Sequence, residues 1–111
     1  MREGDVILTP VPQADGAIKN RPAIILREMP PYKDFLVCGV STQLHQQVKD
    51  FDEIISPSEA DFPSSGLRSE SLVRLGFLAV LPHSRIVGSI GSISPERHKR
   101  LLKTLSDYLV R

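Results

Sequence analysis

The sequence predicts a mainly β fold: a small barrel or strongly bent antiparallel sheet of about five to seven short strands, closed by one C-terminal helix. Three observations carry this. Short runs of strand-forming residues recur between Pro- and Gly-rich breaks. Helical spacing of apolar residues occurs in one place only, near the C-terminus. The chain has 111 residues, 41% of them hydrophobic, which is room for a single globular core and no more.

The elements follow in order. Gly4-Asp5-Val6-Ile7-Leu8-Thr9 reads as a first strand. Pro10, Pro12, Asp15 and Gly16 then make residues 12–20 a loop. The second strand is the stretch that organises the chain, Lys19-Asn20-Arg21-Pro22-Ala23-Ile24-Ile25-Leu26. Its apolar run, Ala23 to Leu26, fits only against a core. Pro22 fixes its own φ and holds Arg21 extended, so a guanidinium stands on a stiff support at the mouth of a strand. Such a group suits an anion, but from these residues alone the plainer reading, a surface arginine beside a turn, comes first. Met29-Pro30-Pro31 ends the strand. Phe35 to Val40 forms a third, buried strand, in which Gly39 marks a bulge or a close backbone approach.

Ser41-Thr42-Gln43 closes that strand with small polar groups, and residues 44–50 form a polar loop. Residues 51–55 are a charged edge strand. Ser56-Pro57-Ser58-Glu59 has the chemistry of a helix start, but Pro63 limits it to a turn, and residues 63–66 are loop. Strand character returns over Leu67 to Leu75, stops at Gly76, and resumes as a separate strand over Phe77 to Leu81. Pro82-His83-Ser84 is a turn, followed by a short, Gly-broken segment to residue 93. Ser94-Pro95-Glu96 opens the true helix with a cap, a proline at the first position and an acid against the dipole. Leu101, Leu102, Leu105, Tyr108 and Leu109 share its apolar face, and Arg97, Lys99, Arg100 and Lys103 cover the outer one. Phe35, Phe51, Phe62 and Phe77 read as core rather than as stacking platforms.

Net charge is +1, so the overall field steers no partner strongly. Locally, residues 17–33 hold four cations against one acid, and residues 68–111 hold eight Lys or Arg against three acids. Residues 49–62 hold five acids against one Lys. If the two basic stretches meet in space, they make a face that attracts phosphate. The lone cysteine, Cys38, sits in an apolar run and reads as a buried core residue in a reducing compartment. No signal peptide and no bilayer-spanning apolar stretch is present, so a cytoplasmic protein is the expectation.

Metal-ligand spacing, phosphate loops, dinucleotide fingerprints and nucleophile elbows are all missing, so no metal site and no cofactor is expected. What remains is a diffuse polar set at strand ends: Arg21, Ser41, Thr42, Glu70 and Arg74, with Lys19, Gln43 and His45 nearby. Two arginines, hydroxyls and one carboxylate suit an anionic substrate. Metal-free RNA cleavage needs such groups: a base for the ribose 2′-OH, a cation for the phosphorane and a proton for the leaving oxygen. Arginine holds charge well and donates protons poorly.

Several segments, in this order, resemble the MazF/PemK family of toxin–antitoxin ribonucleases. They are Gly4-Asp5-Val6-Ile7-Leu8, Arg21-Pro22-Ala23-Ile24-Ile25-Leu26, Val40-Ser41-Thr42-Gln43, Gly66-Leu67 with Ser71-Leu72-Val73, and Ile90-Gly91-Ser92-Ile93-Ser94. The resemblance implies an SH3-like barrel of the CcdB/PemK type, a homodimer, and cleavage of single-stranded mRNA without metal. It also implies a cognate antitoxin, and such a tail would carry acidic and apolar residues. By the motif match, Arg21 would stabilise the phosphorane, Ser41 with Thr42 would position the phosphate, and Arg74 would be a second functional arginine. The chain departs from the pattern at Gly76, where family members usually carry Asp or Glu, and in the loop 12–20, which lacks a His found in some. Glu70 is then the nearest candidate for the base, and His45 for the proton donor. Two other readings stay open: a gyrase-poison-like toxin of the same fold that binds a protein, and a non-catalytic relative that binds RNA or antitoxin only.

Overall fold

A computed structural model describes residues 1–12 and 14–111. These residues form β1 (Asp5–Pro12), β2 (Ile18–Met29), β3 (Asp34–Ser41), β4 (Glu53–Ile55), α1 (Phe62–Ser65), β5 (Ser71–Leu81), β6 (Gly88–Ser92) and α2 (Pro95–Leu109). The strands make one antiparallel sheet in the order β4-β5-β3-β2-β1-β6. It curls into a half-barrel whose edges are β4 and β6. The expected bent, mainly β architecture with a C-terminal helix is therefore present.

Strand alternation divides the apolar residues between two faces. Val6, Ile24, Leu26, Cys38, Val40, Val73 and Leu75 pack with Leu101 and Leu105 of α2. Ile7, Ala23, Ile25, Phe35 and Val37 form a second cluster on the opposite face. The continuous run from Ala23 to Leu26 is thus apolar because β2 is buried on both sides there. Cys38 is fully buried, and that burial pushes its thiol up to about 12, as suits an inert core residue.

The loop expected at 12–20 is shorter than predicted, because the ladder continues to a Pro12↔Ile18 pair. Residue 13, within that loop, lies outside the described residues. Pro10 and Pro12 are tolerated in a strand because β6 pairs with β1 only over Asp5 to Leu8. Beyond that point one side of β1 has no ladder to lose.

Gly76 does not end a strand. β5 runs through it, and the break appears as a bulge: Gly39 pairs with Arg74 but Cys38 pairs with Leu78, leaving residues 75–77 as extra chain. Residues 67–70 precede the strand rather than belonging to it. β4 is an edge strand but shorter than expected. Asp52 is buried before it, and its carboxylate accepts from the backbone N–H of Val48 at 2.9 Å and of Leu75 at 3.0 Å. Pro63 sits in the first turn of the short α1 instead of cutting a helix off. Gly66 ends α1 at φ 74°, and a Cβ there would lie 2.1 Å from the Ile90 carbonyl oxygen.

The cap of α2 is as expected: Ser94 accepts from the Arg97 backbone N–H at 3.1 Å. Its apolar face is shorter than the periodicity suggests. Leu101 and Leu105 are buried, whereas Tyr108 and Leu109 are exposed. Arg97 is the largest departure: it is not on the solvated face but buried, on the same side as Leu101 and Leu105.

Candidate anion groove

Register places the functional side chains. Thr9 on β1 pairs with Arg21 on β2. Ala23, two residues after Arg21, pairs with Gly39 on β3, two residues before Ser41. Gly39 pairs in turn with Arg74 on β5. Neighbouring strands lie about 4.8 Å apart, so these pairings gather groups far apart in sequence onto adjoining strands of one surface. Thr9, Arg21, Ser41 and Arg74 all line a groove of about 520 Å³. This is the sheet face that carries Ala23 and Val37, opposite the one packed against α2.

Thr42 and Gln43 also line the groove. Ser41 Oγ accepts from the Gln43 backbone N–H at 3.0 Å, which fixes the hydroxyl and leaves its proton to be donated. Lys19, His45 and Glu70 are exposed and are not among the described lining residues. His45 lies in a single 3-10 turn, Leu44–Gln46. Residue 70 precedes β5, so strand alternation does not set Glu70 on the side of Arg74; the chain there turns, with Ser71 Oγ donating to Ser69 O at 2.8 Å. His83 is a turn residue as expected, stacked on Phe35 with ring centroids 4.4 Å apart.

Two groove residues, Phe77 and Arg85, are not among those the sequence singles out. Phe77 is not core: it is 56% exposed and lines the groove, with the Arg74 guanidinium carbon 5.3 Å from its ring centroid. Arg85 also lines the groove, and its carbonyl accepts from Thr9 Oγ1 at 2.9 Å. The two basic stretches do come together here, through Arg21, Arg74 and Arg85. Among the described lining residues there is no Asp, Glu or His. The groove can therefore hold an anion with guanidinia and hydroxyls, but its lining offers no group of ordinary general-base pKa.

The remaining conspicuous cluster is the buried Arg97. Its Nε donates to Asp61 Oδ2 at 2.8 Å, its Nη1 to Glu53 Oε1 at 2.7 Å, and its Nη2 to Glu59. Arg100 adds a bond to Glu53 at 3.0 Å. Burial works against both charges, yet the Arg97 hydrogen bonds outweigh it and hold the Asp61 carboxyl below its ordinary range. The same partners raise Arg97 further. This cluster ties α2 to β4 and the turn before α1, and its cation is already neutralised. Among the described residues, no group of three or more His, Cys, Asp or Glu could hold a metal ion. No helix among them is long and apolar enough to cross a membrane.

The model of a protein family described as PemK-like, MazF-like toxin of type II toxin-antitoxin system matches residues 2–109. A search of curated proteins finds no match.

Proposed function

We propose that this chain, which belongs to the PemK-like, MazF-like family of type II toxin–antitoxin toxins, is an endoribonuclease that cuts single-stranded mRNA in the groove between Arg21 and Arg74. The observation that carries this reading is the convergence of Arg21, Ser41, Thr42 and Arg74 on one surface from three strands. The ribose 2′-oxygen attacks the neighbouring phosphorus, the bond to the 5′-oxygen breaks, and a 2′,3′-cyclic phosphate and a 5′-hydroxyl result. Arg21 faces the charge that builds on the phosphorane, where a fixed guanidinium gains most over water. Ser41 and Thr42 donate to its oxygens, and Arg74 holds an adjacent phosphate. No metal takes part. The working unit is a homodimer, consistent with the exposed Leu78, Val80, Val87 and Ile90 on β5 and around β6. An antitoxin tail rich in acidic and apolar residues covers the groove, and both proteins act in the cytoplasm.

The test is incubation of purified protein with single-stranded RNA in EDTA. Cleavage to a cyclic phosphate, lost in Arg21→Ala, supports the reading. A second reading, RNA binding without cleavage, is favoured by the lack of any Asp, Glu or His among the described lining residues. Tight binding of intact RNA would select it. Intact RNA with arrested DNA supercoiling would select a protein-directed, gyrase-poison-like toxin instead.

A further inference from the structure

Phe77 is an aromatic ring that the fold holds in the open. It stands 56% exposed, on a bulge of residues 75–77 that lifts it out of the ladder. Gly39 makes room for it: a Cβ at residue 39 would lie 2.6 Å from Phe77 Cδ1. Arg74, paired with Gly39 across the ladder, brings its guanidinium carbon to 5.3 Å from the ring centroid, within cation–π range. The ring therefore has a lowered-entropy position, a cation beside it and an exposed surface. It shares the groove with Arg21, Ser41 and Arg85. Cations for a sugar–phosphate backbone, alternating with an aromatic surface, are what a single nucleic acid strand needs, because every unpaired base presents a π-face.

We infer that Phe77, backed by Arg74, is the platform on which one unpaired base of the RNA stacks while its phosphate lies at Arg21. The inference rests on the ribonuclease reading for the identity of the ligand, and it adds a binding residue outside the cation and hydroxyl set. Phe77 contributes affinity and the position of the strand, and takes no part in proton transfer. Gly39 below it then serves the ring by leaving the space.

The experiment measures binding of a short single-stranded RNA made uncleavable by 2′-O-methyl groups, at fixed salt, to the intact protein. Phe77→Ala is expected to weaken binding about tenfold, Phe77→Leu nearly as much, and Phe77→Tyr or Phe77→Trp to bind like the parent. Scanning a single abasic residue along the RNA should find one position that costs the parent about the same factor and costs Phe77→Ala nothing further. Gly39→Ala should weaken binding in the parent and add little in the Phe77→Ala background. If Phe77→Ala or Phe77→Leu binds like the parent, or if the abasic and Phe77→Ala losses multiply, the platform is wrong even where Arg21-dependent cleavage persists. If the parent binds no RNA, the platform and the ribonuclease reading fall together.

Discussion

The molecule uses arginine in two opposite ways. On the helix side of the sheet, Arg97 is 3% exposed and bonded to Asp61, Glu53 and Glu59. On the other side, Arg21, Arg74 and Arg85 line a groove whose described lining contains no carboxylate. The same guanidinium chemistry thus binds a buried ion cluster in one place and lines an open groove in the other. Position along the chain does not decide which. Acids of residues 49–62 fold against Arg97, and none of them is among the described groove-lining residues.

The comparison breaks most readily at the buried site. Arg97→Ala leaves Asp61, itself 7% exposed, without its cation, and should destabilise the fold by about 3–5 kcal/mol in urea denaturation. A loss below about 1 kcal/mol would mean that the cluster is no more than a surface ion pair.

Asp61→Asn sharpens the same point through pH. The folded Asp61 carboxyl is held below its ordinary value near 4, so its contribution is complete above about pH 4 and fades as pH falls through the folded value. Asp61→Asn should cost about 2 kcal/mol at pH 7, and the gap to the parent should close on acidification below about pH 4. A gap that stays constant down to pH 2 would contradict this.

In the groove the effects belong to binding, not folding. Arg74→Ala should leave the urea midpoint within experimental error, weaken single-stranded RNA binding by roughly tenfold, and lower the salt dependence by about one phosphate contact. An unchanged salt slope would place Arg74 off the backbone path. The smallest effect is expected at Glu70, exposed and outside the groove lining. Glu70→Gln should change cleavage by less than about twofold, as removal of a true general base would not.

The same contrast explains how much was legible in the sequence. Alternation keeps Arg21 with Ala23 along β2 and Gly39 with Ser41 along β3, and the capping residues of the last helix are local signals that the fold keeps. Gly39 announced a close approach without saying by what. Arg97 was misplaced on the outer helix face although its spacing to Leu101 and Leu105, by fours, aligned it with the buried stripe. The acid-rich segment that answers it was visible in the charge count, but the contact between them is made through space by a turn and an edge strand. Phe77 was misread because an aromatic in a strand is usually core, and only the bulge opposite Gly39 turns it into the groove. Glu70 lies just before the point where β5 begins, so strand alternation does not fix its side.

The central claim is that the groove arginine, and not the buried one, acts on RNA. It is tested by single-turnover cleavage of single-stranded RNA in EDTA by the parent and Arg21→Ala, with urea midpoints recorded on the same preparations. The account predicts coincident midpoints and a loss of cleavage of at least about a hundredfold. Cleavage by a fully folded Arg21→Ala at the parent's rate would contradict it.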